Sequence, residues 1–227
     1  MGFSYAPTAV QTRTGAERAT LVKRTYGLVF LSVLVTMGGA AFTFTQPALM
    51  QAVAEHFFIG LLCVLAPLFL AQRSARVFPT NIAFTFLFAF AEGVYIAPIL
   101  YLSEARTPGI IGQAGLLTFV AFGALTLYAL FSKRDFSAWG SFLMVGVVVL
   151  LVALIVNVFV GSVAGGLWLA AMGVLIFSGL LVFDTWRLLR SGQLGQDDYV
   201  IATVSIYLDL LNMFMFILRL LSGGNRR

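Results

Sequence analysis

The chain has one cysteine, one histidine and two lysines in 227 residues, and only 10% of its side chains are charged. Each scarcity excludes something. A lone Cys63 permits no intrachain disulfide and no thiolate zinc centre; lying in the apolar stretch 59–70, it reads as a buried, inert thiol. A lone His56 leaves no His-Glu-x-x-His metalloprotease motif, and its place at a helix entrance gives an intramembrane serine nucleophile no base beside it. Lys23 and Lys133 both fall in polar flanks, so no lysine is available inside a span to form a Schiff base. No enzyme reading survives. Outside the apolar stretches there is no basic and aromatic patch of the kind that binds nucleic acid.

Apolar residues supply 60% of the chain, against about half in soluble domains. A helix needs about 20 mostly apolar residues to cross hydrocarbon. Seven windows qualify: 26–45, 52–71, 81–102, 110–131, 140–160, 165–186 and 200–221. The expected fold is therefore an all-α membrane protein of seven transmembrane helices. Residues 1–25 form a polar N-terminal tail without a cleavable signal, and 222–227 a short C-terminal tail. Most breaks carry turn chemistry, such as Gln46-Pro47, Pro79-Thr80-Asn81 and Thr107-Pro108-Gly109. The weakest break, 161–166, is uncharged and reads either as a tight turn or as a flexible point within a longer hairpin. Small-residue runs at 38–41 and 161–166 suit close helix packing.

Positive charge sets the expected orientation. With the N-terminus cytoplasmic, the inside segments hold Arg13, Arg18, Lys23, Arg24, Arg73, Arg76, Lys133, Arg134, Arg187 and Arg190. The opposite side holds Arg106, Arg219, Arg226 and Arg227, a bias of 10 against 4. The net charge of +5 then reflects basic loops facing anionic lipid. Seven spans put the C-terminus outside; six spans and a re-entrant last segment would return it to the cytoplasm.

Of nine acidic residues, Glu17, Glu104, Asp135, Asp197 and Asp198 fall in loops or tails and are expected to be solvated, and Glu55 sits with His56 at a helix entrance. Three remain inside the spans. Glu92 precedes Pro98, which removes a backbone donor and is expected to kink the helix, freeing a carbonyl near the carboxylate. Asp209 shares a helical face with Ser205 and Asn212 at i, i+4, i+7 spacing, a polar stripe turned away from lipid. Asp184 lies near the end of its span with Arg187 at i+3, so an interfacial ion pair is one reading of it. Helical rise places Asp184 about 4 Å and Asp209 about 13 Å inside their helix ends, an offset of about 9 Å that boundary shifts or tilt would have to close. In contact, two carboxyls cannot both ionise cheaply and would respond to pH. With water and carbonyls, Asp184 and Asp209 would also suit Ca²⁺, which takes six to eight oxygens.

The segments Phe183-Asp184-Thr185, then 198–202, then Ser205-Ile206-Tyr207-Leu208-Asp209-Leu210-Leu211-Asn212 resemble the Bax inhibitor-1 (transmembrane BAX-inhibitor-motif) family, in its bacterial branch. The resemblance implies a bundle with the last helix central, in a bacterial inner membrane. It also implies a pH-sensitive Ca²⁺ leak governed by a di-aspartyl sensor, which here would be Asp184 and Asp209. An arginine after the second span, Arg73 or Arg76, would be the latch, with Glu92 in a looser correspondence. Family members are associated with protease regulation and stress survival, so a membrane protease or stress partner without ion flux is the alternative. No cofactor is expected; Ca²⁺ would be the transported ion.

Overall fold

The computed structural model describes residues 15–190 and 194–224. Residues 1–14 with Arg13, the start of the 192–198 turn, and Arg226 and Arg227 lie outside the described residues. Among those described there are eight α-helices, one 3-10 turn (Gln196–Asp198) and no strand: α1 (Gly15–Phe44), α2 (Pro47–Glu55), α3 (Phe57–Arg73), α4 (Thr80–Arg106), α5 (Ile110–Phe131), α6 (Trp139–Val160), α7 (Val163–Arg190) and α8 (Tyr199–Gly224).

Six of these helices, α1 and α4 to α8, are long and apolar enough to cross a membrane. The expected second span, 52–71, is not one straight helix. It breaks at His56 into α2 and α3, bent by 96°, so the count is seven only if that pair makes one broken span. Pro47 opens α2, where its missing N–H costs nothing. His56 leaves helical geometry (φ −112°, ψ 53°) while its N–H still bonds to the Ala52 carbonyl, and the chain turns there. The alternative raised for the sequence placed re-entrance in the last segment, whereas α8 runs unbroken for 26 residues.

The bundle is apolar outside and small or polar inside. In α1 the buried positions Leu21, Thr25, Leu28, Ser32, Thr36, Gly39 and Thr43 recur every three or four residues, while Phe30, Leu31, Leu34 and Met37 point outward. The inward hydroxyls of Thr36 and Thr43 bond the carbonyls four residues back, which removes the penalty of a bare hydroxyl in hydrocarbon. Small residues set the closest crossing. A Cβ on Gly39 would collide with the Phe90 carbonyl of α4, and one on Gly93 with the Thr36 carbonyl of α1. Pro98 is itself buried, and α4 continues through it to Arg106.

Gly161 closes α6 at φ +67°, a conformation glycine adopts without strain, and α7 begins two residues later. The weak break is therefore a tight turn between two spans. Half of the apolar stretch of α8 is buried, against 11% for α6. α8 packs on α1, α3, α4, α5 and α7, whereas among the described helices α6 leans on α7 alone. The central helix can carry polar groups because protein, not lipid, surrounds it. Cys63 lies on the exposed side of α3 rather than in the interior expected of it.

Candidate functional site

α7 and α8 are joined by a short turn and pack side by side. α7 runs on to Arg190, so Asp184 lies six residues from its end, about 9 Å deep rather than 4 Å. That extra turn closes part of the offset anticipated from the sequence, and the packing of α7 on α8 closes the rest. Asp184 and Asp209 meet: their carboxyl groups stand within hydrogen-bonding reach of one another. Asp209 is 5% exposed, and among the described residues its Oδ2 has no hydrogen-bond partner. Asp184 also faces Arg187, with Nη1 3.9 Å from its Oδ1. A carboxyl–carboxylate hydrogen bond holds one proton between two oxygens and leaves one negative charge, here opposite a guanidinium.

Helix α1 clamps both sides of this pair. Tyr26 Oη and Thr185 Oγ1, next to Asp184, are 3.2 Å apart. Tyr207 Oη, two residues before Asp209, is 2.7 Å from Thr36 Oγ1. Since the Thr36 hydroxyl donates to the Ser32 carbonyl, Tyr207 is the donor in that contact. Tyr207 also packs edge-on against Phe88 at 5.6 Å between ring centres. Its presence in the motif was visible; that it reaches α1 was not, because the contact spans 171 positions of sequence.

The other residues singled out from the sequence distribute differently. Asn212 donates to the Leu208 carbonyl of its own helix at 2.8 Å, and Ser205 is partly buried above it, so of the stripe only Asp209 meets Asp184. Glu92 is partly buried in the middle of α4. Arg73 ends α3 on an exposed position.

Arg76 is engaged elsewhere. Its Nε donates to Asp198 Oδ1 at 2.8 Å. Asp198, expected to be solvated, is buried at 4% exposure, and its Oδ2 accepts the Gly195 N–H at 2.7 Å. The adjacent Tyr199 hydroxyl accepts from Asn81 Nδ2 at 3.0 Å, and Arg24 sits 5.8 Å over the Tyr199 ring. The α3–α4 and α7–α8 turns are thus tied together at the end of the bundle nearer the aspartates. An acidic residue just before a helix is an N-terminal capping signal, and that signal in Gln196-Asp197-Asp198-Tyr199 was the available clue. The hydrogen bond and charge of Asp198 hold the Arg76 guanidinium above its ordinary range.

Among the described residues no three His, Cys, Asp or Glu side chains gather as a metal centre.

An all-helical bundle, apolar on its outside, with a carboxyl pair enclosed between its last two long helices, defines a polytopic membrane protein built around an internal ionisable site. The chain belongs to the family described as inhibitor of apoptosis-promoting Bax1, whose model matches residues 18–227. It is 33% identical to a Vibrio cholerae membrane protein, over 96% of this chain and 98% of that one. It is 30% identical to mouse protein lifeguard 4, over 99% and 93%, and 31% identical to the Escherichia coli modulator of FtsH protease YccA, over 91% of each.

Proposed function

We propose that this protein is a passive, pH-sensitive leak for Ca²⁺ or a similar cation, with Asp184 and Asp209 as its proton sensor. The observation that carries the proposal is the face-to-face placement of the two carboxyls, one of them enclosed, between adjacent helices. With one proton the pair is a hydrogen-bonded monoanion balanced by Arg187. A second proton removes that charge, frees Arg187 and loosens the end of α7, changing access from the side where α7 ends. The bias of positive residues supports a cytoplasmic place for that side and for the N-terminus. An E. coli relative is named an inner membrane protein, which supports the same location for this chain.

The test is Ca²⁺ flux into liposomes carrying the purified protein and an enclosed indicator. Flux is expected to rise as pH falls, and Asp184→Asn and Asp209→Asn are each expected to flatten that response. Unchanged flux and unchanged pH dependence in both variants would sink the proposal.

A second reading is favoured by the likeness to the modulator of FtsH protease: a membrane partner that tunes a protease, with the carboxyl pair setting its conformation. Co-purification with such a protease that survives loss of both carboxyls, in a protein without measurable flux, is its distinguishing result.

A further inference from the structure

At the end of the bundle opposite the aspartates, the C-terminal ends of α4, α6 and α8 meet the N-terminus of α7 around an open cleft of about 420 Å³. Arg106 and Arg219 line it together with Asn157, Ser103 and Ser222. Three observations indicate what it lacks. Arg219 lies over the first turn of α7: a Cβ on Gly166 would come 3.0 Å from its Nη2 and 3.4 Å from Nδ2 of Asn157. The guanidinium therefore sits against the positive end of a helix dipole, an arrangement that repels until an anion joins it. Second, among the described residues neither Arg106 nor Arg219 has an acidic partner. The nearby Glu104 is engaged by the Gly109 and Ile111 N–H groups, at 2.6 and 3.2 Å. Third, the hydroxyl oxygen of the half-buried Ser222 in the cleft wall has no hydrogen-bond partner among the described residues.

The cleft continues into a second one of about 310 Å³ that shares Ser103, Arg219 and Ser222 and is walled by Ile99, Met215 and Phe216. A polar, cationic head joined to an apolar groove, at the level where helices end and lipid headgroups lie, matches an amphiphile rather than a small ion.

We propose that this cleft binds an anionic phospholipid. Arg106, Arg219 and the Asn157 amide hold its phosphate, and one acyl chain lies along Ile99, Met215 and Phe216. The bound lipid would pin the ends of α6, α7 and α8, independently of the carboxyl pair.

The test is native mass spectrometry of the full chain in detergent, offered phosphatidylglycerol or phosphatidylcholine with identical acyl chains. Phosphatidylglycerol is expected to bind about tenfold more tightly, as one charge-assisted contact requires. Arg219→Gln is expected to abolish that preference and Arg106→Gln to reduce it. Circular dichroism and gel filtration monitor folding, and should Arg219→Gln fail to fold, Arg106→Gln on the exposed end of α4 decides alone. Equal retention of the two lipids by the unaltered protein, or a preference untouched by the folded variants, overturns the proposal. Displacement of phosphatidylglycerol by millimolar inorganic phosphate overturns the lipid assignment in favour of a free-anion site.

Discussion

Arg76 and Asp198, 122 positions apart in sequence, are joined by a 2.8 Å hydrogen bond that ties the turn before α4 to the turn before α8. The guanidinium is largely in solvent, whereas the carboxylate is enclosed, so the two partners stand to lose different amounts. Asp198→Ala removes the acceptor for both the Gly195 N–H and Arg76, and is expected to cost about 1 kcal/mol, the usual magnitude for a lost cap. Arg76→Gln is expected to lower the melting temperature less, and to do so only at low salt. Thermal unfolding in detergent at two salt concentrations checks both.

The same pair has a defined pH behaviour on the arginine side. Asp198 raises the guanidinium above its ordinary range. A raised basic group contributes its stability fully below its unfolded value and loses it only as pH climbs through the folded one. The difference in melting temperature between the unaltered protein and Arg76→Gln should therefore be flat from about pH 6 to about pH 9.

Thr36 and Tyr207 offer a graded comparison. Tyr207→Phe removes one hydrogen bond while Thr36 keeps its bond to Ser32, an expected cost of about 1 kcal/mol. Thr36→Val removes both bonds and leaves the Tyr207 hydroxyl enclosed without an acceptor, so the loss should be larger, about 2 kcal/mol. Reversal of this order in thermal unfolding would show that Tyr207 does not donate to Thr36.

The α1–α4 crossing predicts a sharp contrast between two glycines. Gly93→Ala sets a methyl against the Thr36 backbone, which cannot yield as a side chain can, and is expected to destabilise by about 1–3 kcal/mol. Gly112→Ala, where an added Cβ meets nothing within 4 Å, is expected to be neutral or slightly stabilising. The two variants are compared by melting temperature in the same detergent.

For the carboxyl pair, the checkable quantity is coupling. Asp184→Asn and Asp209→Asn each remove one acid from a pair in contact, so the double variant should depart from the sum of the singles by about 0.5–3 kcal/mol. Additive melting shifts would show that the two groups do not act as a unit.

Sequence by itself determined the membrane class, the boundaries of most long helices, the family and which carboxyls fall inside the spans. These are legible because hydrocarbon penalises every polar group: a stretch of about 20 apolar residues has few alternatives, and the carboxyls that persist within one stand out. The polar stripe of α8 likewise identified Asp209 as the inward-facing member. What only the tertiary structure decided lies in contacts between helices distant in sequence and in where helices end. One extra turn of α7 carries Asp184 deeper, toward the level of Asp209, and no local pattern announces where a helix of good formers will stop. The break at His56 interrupts an apolar window that hydropathy reads as continuous. Arg76 finds Asp198 rather than the carboxyl pair because turn geometry, not charge alone, sets which acid lies within reach. Periodicity shows which face of a helix turns inward; which residue it meets there depends on packing, in which every other helix takes part.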